Sequence, residues 1–449
     1  MSSFRASFTF ENGTTYDGEW KDGKMHGRGT SVSADGGMKY EGQWEFNLPH
    51  GEGILTGVEE YRGQFLVGKR HGEAVWIRAG GDRYYGQVKN DMYHGEGMAY
   101  WPNGEQYNGQ WKEGKKKGEG TLIEADGAEY EGQFIGDEFH GIGTYLYRDG
   151  TRLEGQWDSG GLHGEGIHVT PDGSKYKGQW ENGSEHGEGM FTHSNGAQYH
   201  GQFKEGKRHG HGVYNNPDGE RYEGQWQDGS EHGEGVQTLA GGAKYEGQLQ
   251  DGNAHGEGVQ TFPDGEKYEG QWRDGARHGD GACTYKNGIK YKCQWSEDDI
   301  NGEGAWTYPG ETTYQGQWKK NKWHGQGAYT CEDGSTYSGQ FHEAQLSGAG
   351  SLVFANGDRY EGQFEGGLEH GQGTRYFHKT GDQYDGQWEQ GKGHGAGTYT
   401  TSCGTRYAAE WDRGVELPGS RKELPRVNKR AQPVGSADVE NDGCDTKKR

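Results

Sequence analysis

The sequence predicts an all-β fold: an elongated single ribbon of stacked antiparallel β-hairpins, built from about 18 copies of a 23-residue repeat. Three observations lead to this prediction. A tyrosine recurs at nearly constant spacing, the residues after it alternate between aromatic or glycine and charged types, and Asp-Gly or Asn-Gly pairs separate the alternating segments. Repetition at a fixed period is typical of architectures in which each unit buries its apolar face only by stacking on its neighbours.

The anchoring tyrosine defines the repeat. Each copy continues as Tyr-x-Gly-x-Trp/Phe, a short polar turn, His-Gly-x-Gly, a few apolar or Thr residues and then Asp/Asn-Gly. The period is 23 residues, with slips to 24, 21 and 24 at three junctions. Leu153 replaces the tyrosine in one copy, and the tyrosines themselves are Tyr16, Tyr40, Tyr61, Tyr84, Tyr107, Tyr130, Tyr176, Tyr199, Tyr222, Tyr245, Tyr268, Tyr291, Tyr314, Tyr337, Tyr360, Tyr384 and Tyr407.

The alternation within a copy predicts two different sheet faces. In an extended strand every second side chain shares a face, so Tyr268, Gly270 and Trp272 point one way and Glu269 and Gln271 the other. A ring as large as that of Trp272 needs a flat surface, and a strand glycine provides one. The repeat aromatics that we expect to form the core are Tyr176, Trp180, Tyr222, Trp226, Tyr268, Trp272, Tyr314 and Trp318.

Composition alone would predict a disordered chain instead of a folded one. Only 28% of the residues are hydrophobic, 89 are glycine and the formal net charge is −22, a combination typical of disordered chains. The 15 Trp, 28 Tyr and 14 Phe residues nevertheless fall at repeat positions where they can pack together. We therefore expect an aromatic core that one copy cannot form alone.

The pattern divides the chain into three predicted regions. Residues 1–7 are expected to form a disordered lead-in, residues 8–415 the repeat array, and residues 416–449 a disordered tail of mixed, mainly basic charge. Two strands per copy give about 35 short strands in the array. Asp-Gly and Asn-Gly pairs, such as Asp264-Gly265, are expected to form hairpin turns.

The recurrent histidines suggest a metal site, but their spacing argues against one. Fourteen of the 20 histidines stand at the histidine position of the repeat, each followed by Gly. Equivalent positions in successive copies should lie about 10 Å apart, two strand spacings, whereas histidines that share a zinc ion bind it at about 2 Å. We predict no metal or cofactor, although metal binding between two chains stays open as an alternative.

Motifs of the common enzyme classes are absent from the sequence. No Gly-Lys pair is followed by Ser or Thr, H-E-x-x-H does not occur, and the Gly-x-Gly pattern lies inside predicted strands rather than between a strand and a helix. We therefore predict a protein that is not an enzyme. Its net charge of −22 also disfavours binding to nucleic acid.

The cysteines and the N-terminus indicate the cell compartment. The five cysteines are odd in number and form no C-x-x-C motif, which favours a reducing environment. The first residues contain no apolar run typical of a signal peptide, so we expect a cytoplasmic protein. Cys293 takes the glycine position of its copy near Cys283; we expect a small side chain that fills a gap, with a redox or metal role as the alternative.

Tyr-x-Gly-x-Trp followed by His-Gly-x-Gly resembles the MORN (membrane occupation and recognition nexus) repeat, roughly from Phe8 to Trp411. MORN arrays are non-catalytic modules of scaffolds at the cytoskeleton or cell cortex and of radial-spoke heads in cilia, and they are also attached to lipid kinases and junctional membrane proteins. The resemblance implies a structural scaffold or spacer that binds cytoskeletal or axonemal proteins. It also implies homodimerisation through the terminal copies, which would cover an open edge strand.

Two other functions compete with the scaffold. The family name suggests a peripheral phospholipid-binding protein that contacts phosphoinositides and links membrane to cytoskeleton, although so acidic an array should be repelled by an anionic membrane. A carbohydrate-binding hairpin solenoid of the choline-binding kind has similar repeats, but it would be expected to carry a signal peptide. The candidate lipid or partner contacts are Lys115, Lys116, Lys117, Lys319, Lys320 and Lys322.

Overall fold

A computed structural model describes residues 3–426 of the chain. These residues form 38 β-strands and no helix, as the all-β prediction requires. Strands of mostly seven residues, which carry Tyr-x-Gly-x-Trp/Phe, alternate with strands of mostly nine residues, which carry His-Gly-x-Gly. The described residues contain no helix long and apolar enough to cross a membrane.

The described residues divide into two compact units, 3–242 with Leu249–Gly252 and Ala243–Gln248 with 253–426. The first unit contains β1 to β21, and successive strands from β1 to β21 pair antiparallel. Their bounds are Ser3–Thr9, Thr15–Lys21, Lys24–Val32, Lys39–Glu45, Leu48–Thr56, Glu60–Leu66, Lys69–Ile77, Arg83–Lys89, Met92–Tyr100, Gln106–Lys112, Lys115–Ile123, Glu129–Ile135, Glu138–Leu146, Arg152–Asp158, Gly161–Val169, Lys175–Glu181, Ser184–Thr192, Gln198–Lys204, Lys207–Asn215, Arg221–Gln227 and Ser230–Thr238.

The second unit contains β23 to β38, and the sequence of β22 (Lys244–Gln250) is divided between the two units. Successive strands from β23 to β37 again pair antiparallel, and β38 pairs with β36. The bounds of β23 to β38 are Asn253–Thr261, Lys267–Arg273, Ala276–Thr284, Lys290–Ser296, Asp299–Tyr308, Thr312–Lys319, Lys322–Thr330, Thr336–His342, Gln345–Val353, Arg359–Glu365, Leu368–Phe377, Asp382–Glu389, Lys392–Thr400, Arg406–Asp412, Val415–Glu416 and Lys422–Leu424.

Two kinds of turn alternate along the strands. The short polar turn has two residues with positive φ, as at Asp274 (φ 51°) and Gly275 (φ 83°), which is the conformation of a type I′ hairpin turn. The other turn contains Asp/Asn-Gly, as predicted. There the backbone N–H of Gly265 (φ 92°) donates to the carbonyl of Phe262 at 3.0 Å, and Phe262 N–H donates to the Glu266 carbonyl at 2.8 Å.

A β-bulge interrupts the hairpins that are closed by the short polar turn, as between β24 and β25. Gly270 pairs with Gly281 and Trp272 pairs with Arg277, so that His278, Gly279 and Asp280 lie opposite the single residue Gln271. Gly279 has φ 60°, and a Cβ placed there would meet the Gln271 side chain on the charged face. The second glycine-containing strand is therefore less regular than the simple alternation predicted.

The ends of the chain differ from the predicted boundaries. Ser3 to Ser7 belong to β1, which pairs with β2, although residues 1–7 were expected to be disordered. The predicted tail also contains ordered segments, because β38 extends the sheet beside β36. Residues 427–449 of that tail lie outside the described part of the chain.

Candidate functional site

Tyrosine rings lie on pairs of glycines along one face of each sheet. The Tyr268 side chain is only 2% exposed and covers Gly270 and Gly281, which are paired across the hairpin. A Cβ on Gly281 would lie 2.6 Å from Cε2 of Tyr268, closer than any real contact. The Tyr268 hydroxyl donates to the Gln271 carbonyl at 2.9 Å. The paired glycines are thus the space into which the tyrosine fits.

Tryptophan occupies a different place from the one that the sequence suggested. The ring over the glycine pair belongs to Tyr268, whereas Trp272 stands perpendicular to it at 5.0 Å and to Tyr245 of the preceding copy at 5.4 Å. The indole N–H of Trp272 donates to the Gly258 carbonyl at 3.2 Å. Each such tryptophan therefore connects two copies through its ring and through a hydrogen bond.

All eight core aromatics named from the sequence are buried. Their exposed fractions range from 0% to 6%. The indole hydrogen bond forms at Trp226 and Trp272, whereas the buried indole nitrogens of Trp180 and Trp318 have no hydrogen-bond partner. Tyr222 donates to the Gln225 carbonyl at 2.7 Å, and Trp226 donates to the Gly212 carbonyl at 3.2 Å. These residues build the sheet rather than an exposed contact surface.

Sequence reasoning missed a third position on the aromatic face. We call it the cap position: the residue immediately before the histidine of His-Gly-x-Gly, which pairs across the hairpin with the Trp/Phe. In three copies it holds an aromatic ring that stacks flat on the tyrosine. Tyr93 lies 3.9 Å from Tyr84, Phe139 lies 3.9 Å from Tyr130, and Trp323 lies 4.5 Å from Tyr314.

Other copies place a cation at the cap position. The Arg277 guanidinium lies 4.3 Å from the ring centre of Trp295, and its Nε donates to Oδ1 of Asp298 at 2.9 Å. Arg70 and Arg208 cover rings in the same way. The aromatic face therefore has outer surfaces that accept either a ring or a guanidinium.

On the charged face, glutamine and glutamate side chains connect successive copies. Nε2 of Gln271 donates to Oε1 of Glu257 in the preceding copy at 3.0 Å, and Oε1 of Gln271 accepts from the Asp280 backbone N–H at 3.3 Å. Gln110 and Glu96 repeat the contact between copies at 3.0 Å. The regularly spaced acids of the sequence thus help to hold the copies in register, each contact contributing a few tenths of a kcal/mol.

The first group of candidate lysines is not a common cation cluster. Lys116 occupies a cap position with its side chain only 11% exposed, and its Nζ lies 3.3 Å from Oε1 of Glu105 and 5.4 Å from the Trp101 ring centre. Its sequence neighbours Lys115 and Lys117 are exposed. Alternation along β11 separates Lys116 from both of them.

The second group surrounds one exposed turn. Lys319 pairs with Lys322 across the hairpin, and Lys320 occupies the turn between them with φ 48°. Nζ of Lys322 lies 3.4 Å from Oε2 of Glu343, and both side chains are more than half exposed. Residues 3–426 hold no group of three or more His, Cys, Asp or Glu side chains arranged to bind a metal ion.

The family model of the MORN repeat matches sixteen segments of the chain. The chain belongs to the MORN repeat family. MORN repeats are non-catalytic modules for interaction with proteins or membranes. The matched segments are 16–38, 40–58, 61–83, 84–106, 107–129, 130–152, 154–175, 176–198, 199–221, 222–244, 245–267, 268–290, 314–336, 337–359, 360–379 and 384–406.

Similarity to solved structures is low. The TCP domain of Drosophila melanogaster SAS-4 (dCPAP) has 12% identity and TM-score 0.21, over 40% of this chain and 85% of that one. The TCP10 domain of Danio rerio CPAP has 13% identity and TM-score 0.17, over 49% and 93%. No curated protein sequence matches it significantly.

The MORN copy that begins at Tyr291 falls outside the matched segments, and its geometry departs from that of the other copies. Cys293 stands where other copies have glycine, and a Cβ on the paired Gly304 would lie 2.8 Å from the Cys293 Cβ. Tyr291 is only half-buried, and its ring is tilted by 58° at 5.9 Å from Trp318. Both Cys293 and Cys283 are free and buried. The cysteine side chain therefore takes the space that the tyrosine uses elsewhere.

Exchanging these two environments should exchange the exposure of the two tyrosines. We expect Cys293→Gly to bury Tyr291, and Gly270→Cys to expose Tyr268 and to destabilise the array by about 2 kcal/mol. Hydroxyl-radical footprinting with mass spectrometry reports the exposure of each ring. Unchanged modification of both tyrosines in both variants would contradict the assigned role of the glycine position.

The buried tyrosines make MORN array stability sensitive to alkaline pH. Burial raises the pKa of Tyr130, Tyr199 and Tyr337 to about 12. Because the folded-state pKa exceeds the unfolded value of about 10, their contribution is fully present below pH 10 and is lost as the pH rises towards 12. We expect tyrosinate absorbance at 295 nm to rise together with loss of the β-sheet circular dichroism. Ionisation of all tyrosines near pH 10 with the sheet intact would disprove this.

Proposed function

We propose that this MORN protein is a non-catalytic scaffold and spacer that mediates protein–protein interactions, in the cytoplasm, at the cytoskeleton of the cell cortex or in a cilium. The supporting observation is the regular connection between copies. The Trp272–Gly258 hydrogen bond and the Gln271–Glu257 hydrogen bond join one copy to the preceding one, and Trp111 and Gln110 make the same pair of contacts with Gly97 and Glu96. Such connections hold successive partner-facing surfaces at a constant spacing.

Proximity labelling tests this function in the protein's own cell. A promiscuous biotin ligase fused to the full chain should label cytoskeletal or axonemal proteins more strongly than the free ligase does. A labelled set made of metabolic enzymes or integral membrane proteins, with no cytoskeletal enrichment, would argue against the scaffold. The same ligase anchored to another cytoskeletal protein shows whether the enrichment is specific.

We infer homodimerisation through the N-terminal edge. Within the described residues β1 pairs on one side only, with β2, and it presents Phe4 and Phe8 with 55% and 52% of their surfaces exposed. An unpaired edge strand with apolar side chains is a template for a second strand.

Replacing Phe4 and Phe8 together by lysine should convert dimers to monomers, because charged edge side chains oppose strand pairing. Light scattering after size-exclusion chromatography should give about twice the chain mass of 49.7 kDa for the unaltered protein and 49.7 kDa for the variant. Lysine at Val58, which is 76% exposed and lies away from the edge, is the control that should leave the dimer intact. Equal masses for all three proteins would exclude this interface.

The alternative function is peripheral phosphoinositide binding, favoured by the exposed turn that carries Lys319, Lys320 and Lys322. Charge reversal of these three lysines should abolish flotation with vesicles of phosphatidylcholine and phosphatidylinositol bisphosphate at physiological salt. Charge reversal of Lys115 and Lys117 is the matched control. If the unaltered chain does not float with these vesicles, the lipid alternative is excluded.

A further inference from the structure

The box around Trp323 shows how the aromatic face holds a flat side chain. Trp323 occupies the cap position and stacks on Tyr314 at 4.5 Å with an interplanar angle of 8°. Trp318 and Phe341 form two walls at 6.3 Å and 5.8 Å, at angles of 85° and 84°. Tyr329 closes a further side at 5.0 Å. Trp306 contacts the indole at 5.5 Å and 57°, so that this box consists of one floor and four aromatic walls.

Four of these five positions are aromatic in a later copy, where the cap is missing. The fifth holds Arg375, which pairs with Tyr384 as Trp306 pairs with Tyr314. Tyr384 is the floor, with Trp388 and Trp411 perpendicular to it at 5.3 Å and 5.1 Å. Tyr399 is the third wall, at 6.5 Å from Trp411. The cap position holds Gly393, which pairs with Trp388 as Trp323 pairs with Trp318.

Removal of the cap leaves a cavity. A space of about 270 Å³ is lined by all four rings and by Gly393. A Cβ on Gly393 would lie 3.3 Å from Cζ of Tyr384, so that a side chain at this position would lead onto the tyrosine ring. The cavity is therefore the equivalent of the volume that Trp323 fills in the other copy.

We propose that this cavity binds an aromatic side chain, tryptophan above all, supplied by a partner protein. The proposal rests on the scaffold function and names the chemistry of one contact. Its occupant lies flat on Tyr384 between Trp388 and Trp411, as Tyr93, Phe139 and Trp323 lie in their own boxes at 3.9 to 4.5 Å.

The charges at the cavity favour a neutral ring over a cation. Arg375 and Lys392 both line it. Arg375 already pairs with Asp358 at 3.6 Å and with Glu369 at 3.7 Å. Asp382 accepts the hydrogen bond of the Tyr399 hydroxyl at 2.8 Å, so these acids are engaged. A guanidinium or ammonium group bound in the cavity would be repelled by the like charges of Arg375 and Lys392. A few other copies nevertheless have an arginine at the cap position. This environment distinguishes the Tyr384 box from those capped by Arg70, Arg208 or Arg277.

Saturation-transfer difference NMR on the full chain tests the site with two end-capped probes, the tripeptides Gly-Trp-Gly and Gly-Arg-Gly. The indole protons of the tryptophan peptide should receive saturation, and the arginine peptide should give at most a weak signal. Gly393→Trp fills the box with the chain's own side chain and should abolish the indole signal. Thermal unfolding of that variant at or above the unaltered midpoint shows that it is folded.

Trp323→Gly provides an independent gain of function. This substitution opens the box on Tyr314 and should add a second binding site for the indole ring. The indole signal should rise, and free indole should restore the thermal stability that the variant loses. An absent indole signal in the unaltered chain, an undiminished one in folded Gly393→Trp, or an equal response to the arginine peptide would each overturn the proposal. Proximity labelling separates this inference from the scaffold function. If cytoskeletal proteins are labelled but the tryptophan peptide does not bind, only the aromatic-binding proposal is refuted. If the peptide binds but no cytoskeletal protein is labelled, only the scaffold function is refuted.

Discussion

Replacing Gly97 by alanine is expected to destabilise the fold by about 3 kcal/mol, a large effect for the addition of one methyl group. The new Cβ would lie 2.5 Å from Cζ and 2.6 Å from Cε2 of Tyr84. The Tyr84 ring is fully buried, with Tyr93 stacked on it at 3.9 Å and Trp111 perpendicular to it at 5.9 Å, so it cannot move aside. Hydrogen exchange measured by mass spectrometry should show faster exchange in β8 to β10.

Gly80→Ala is the matched control for this substitution. Gly80 has an ordinary φ, and the nearest atom to a Cβ placed there is Oδ1 of Asp82 at 3.6 Å. The methyl group therefore fits, and we expect a change within about 0.5 kcal/mol. If Gly97→Ala and Gly80→Ala accelerated hydrogen exchange equally, Gly97 would be required for backbone flexibility and not for the room it leaves for the Tyr84 ring.

Tyr130→Ala should cost about 4 kcal/mol, the upper range for removing a buried ring. Tyr130 is fully buried and contacts three rings: Phe139 stacked at 3.9 Å, Phe134 at 5.1 Å and Trp157 at 5.4 Å. Its loss leaves a cavity over the glycine pair that backbone cannot fill. The urea concentration at the midpoint of unfolding, followed by tryptophan fluorescence, should fall. Tryptophans near β12 to β14 should report unfolding at the lowest urea concentration.

Tyr130→Phe separates the ring from its hydroxyl. The ring contacts stay, and only the hydrogen bonds from the hydroxyl to the Gln133 carbonyl at 3.1 Å and the His140 carbonyl at 3.4 Å are lost, so the cost should be about 1 kcal/mol. If phenylalanine were as destabilising as alanine, the hydroxyl and not ring packing would hold the copy together.

The period-two pattern was enough to predict the two faces and the turns. Tyr268 and Trp272 are buried, Glu269 is exposed, and the Asp264-Gly265 turn is where the sequence placed it. The pattern could not show which ring covers the glycines, because that depends on the bulge at Gly279. A bulge inserts residues on one strand only, and a glycine in it looks the same in sequence as a glycine in a regular strand.

The candidate site was harder to predict. The cap position varies from copy to copy, with Trp323, Arg277 and Gly393 all standing in the same place, so it carries no motif. Gly393 is one of 89 glycines, and only the pairing of strands shows that it leaves a tyrosine ring uncovered. The predicted contact group of Lys115, Lys116 and Lys117 was wrong for a related reason. Side chains alternate along β11, so Lys116 lies on the aromatic face beside Glu105, away from the other two lysines.

A double-mutant cycle between Gly97 and Tyr84 tests directly whether the glycines serve to admit the tyrosine rings. Gly97→Ala should cost about 3 kcal/mol when Tyr84 is present and less than about 1 kcal/mol in a Tyr84→Ala background, where the methyl group has room. A cost for Gly97→Ala that is the same in both backgrounds would contradict the account.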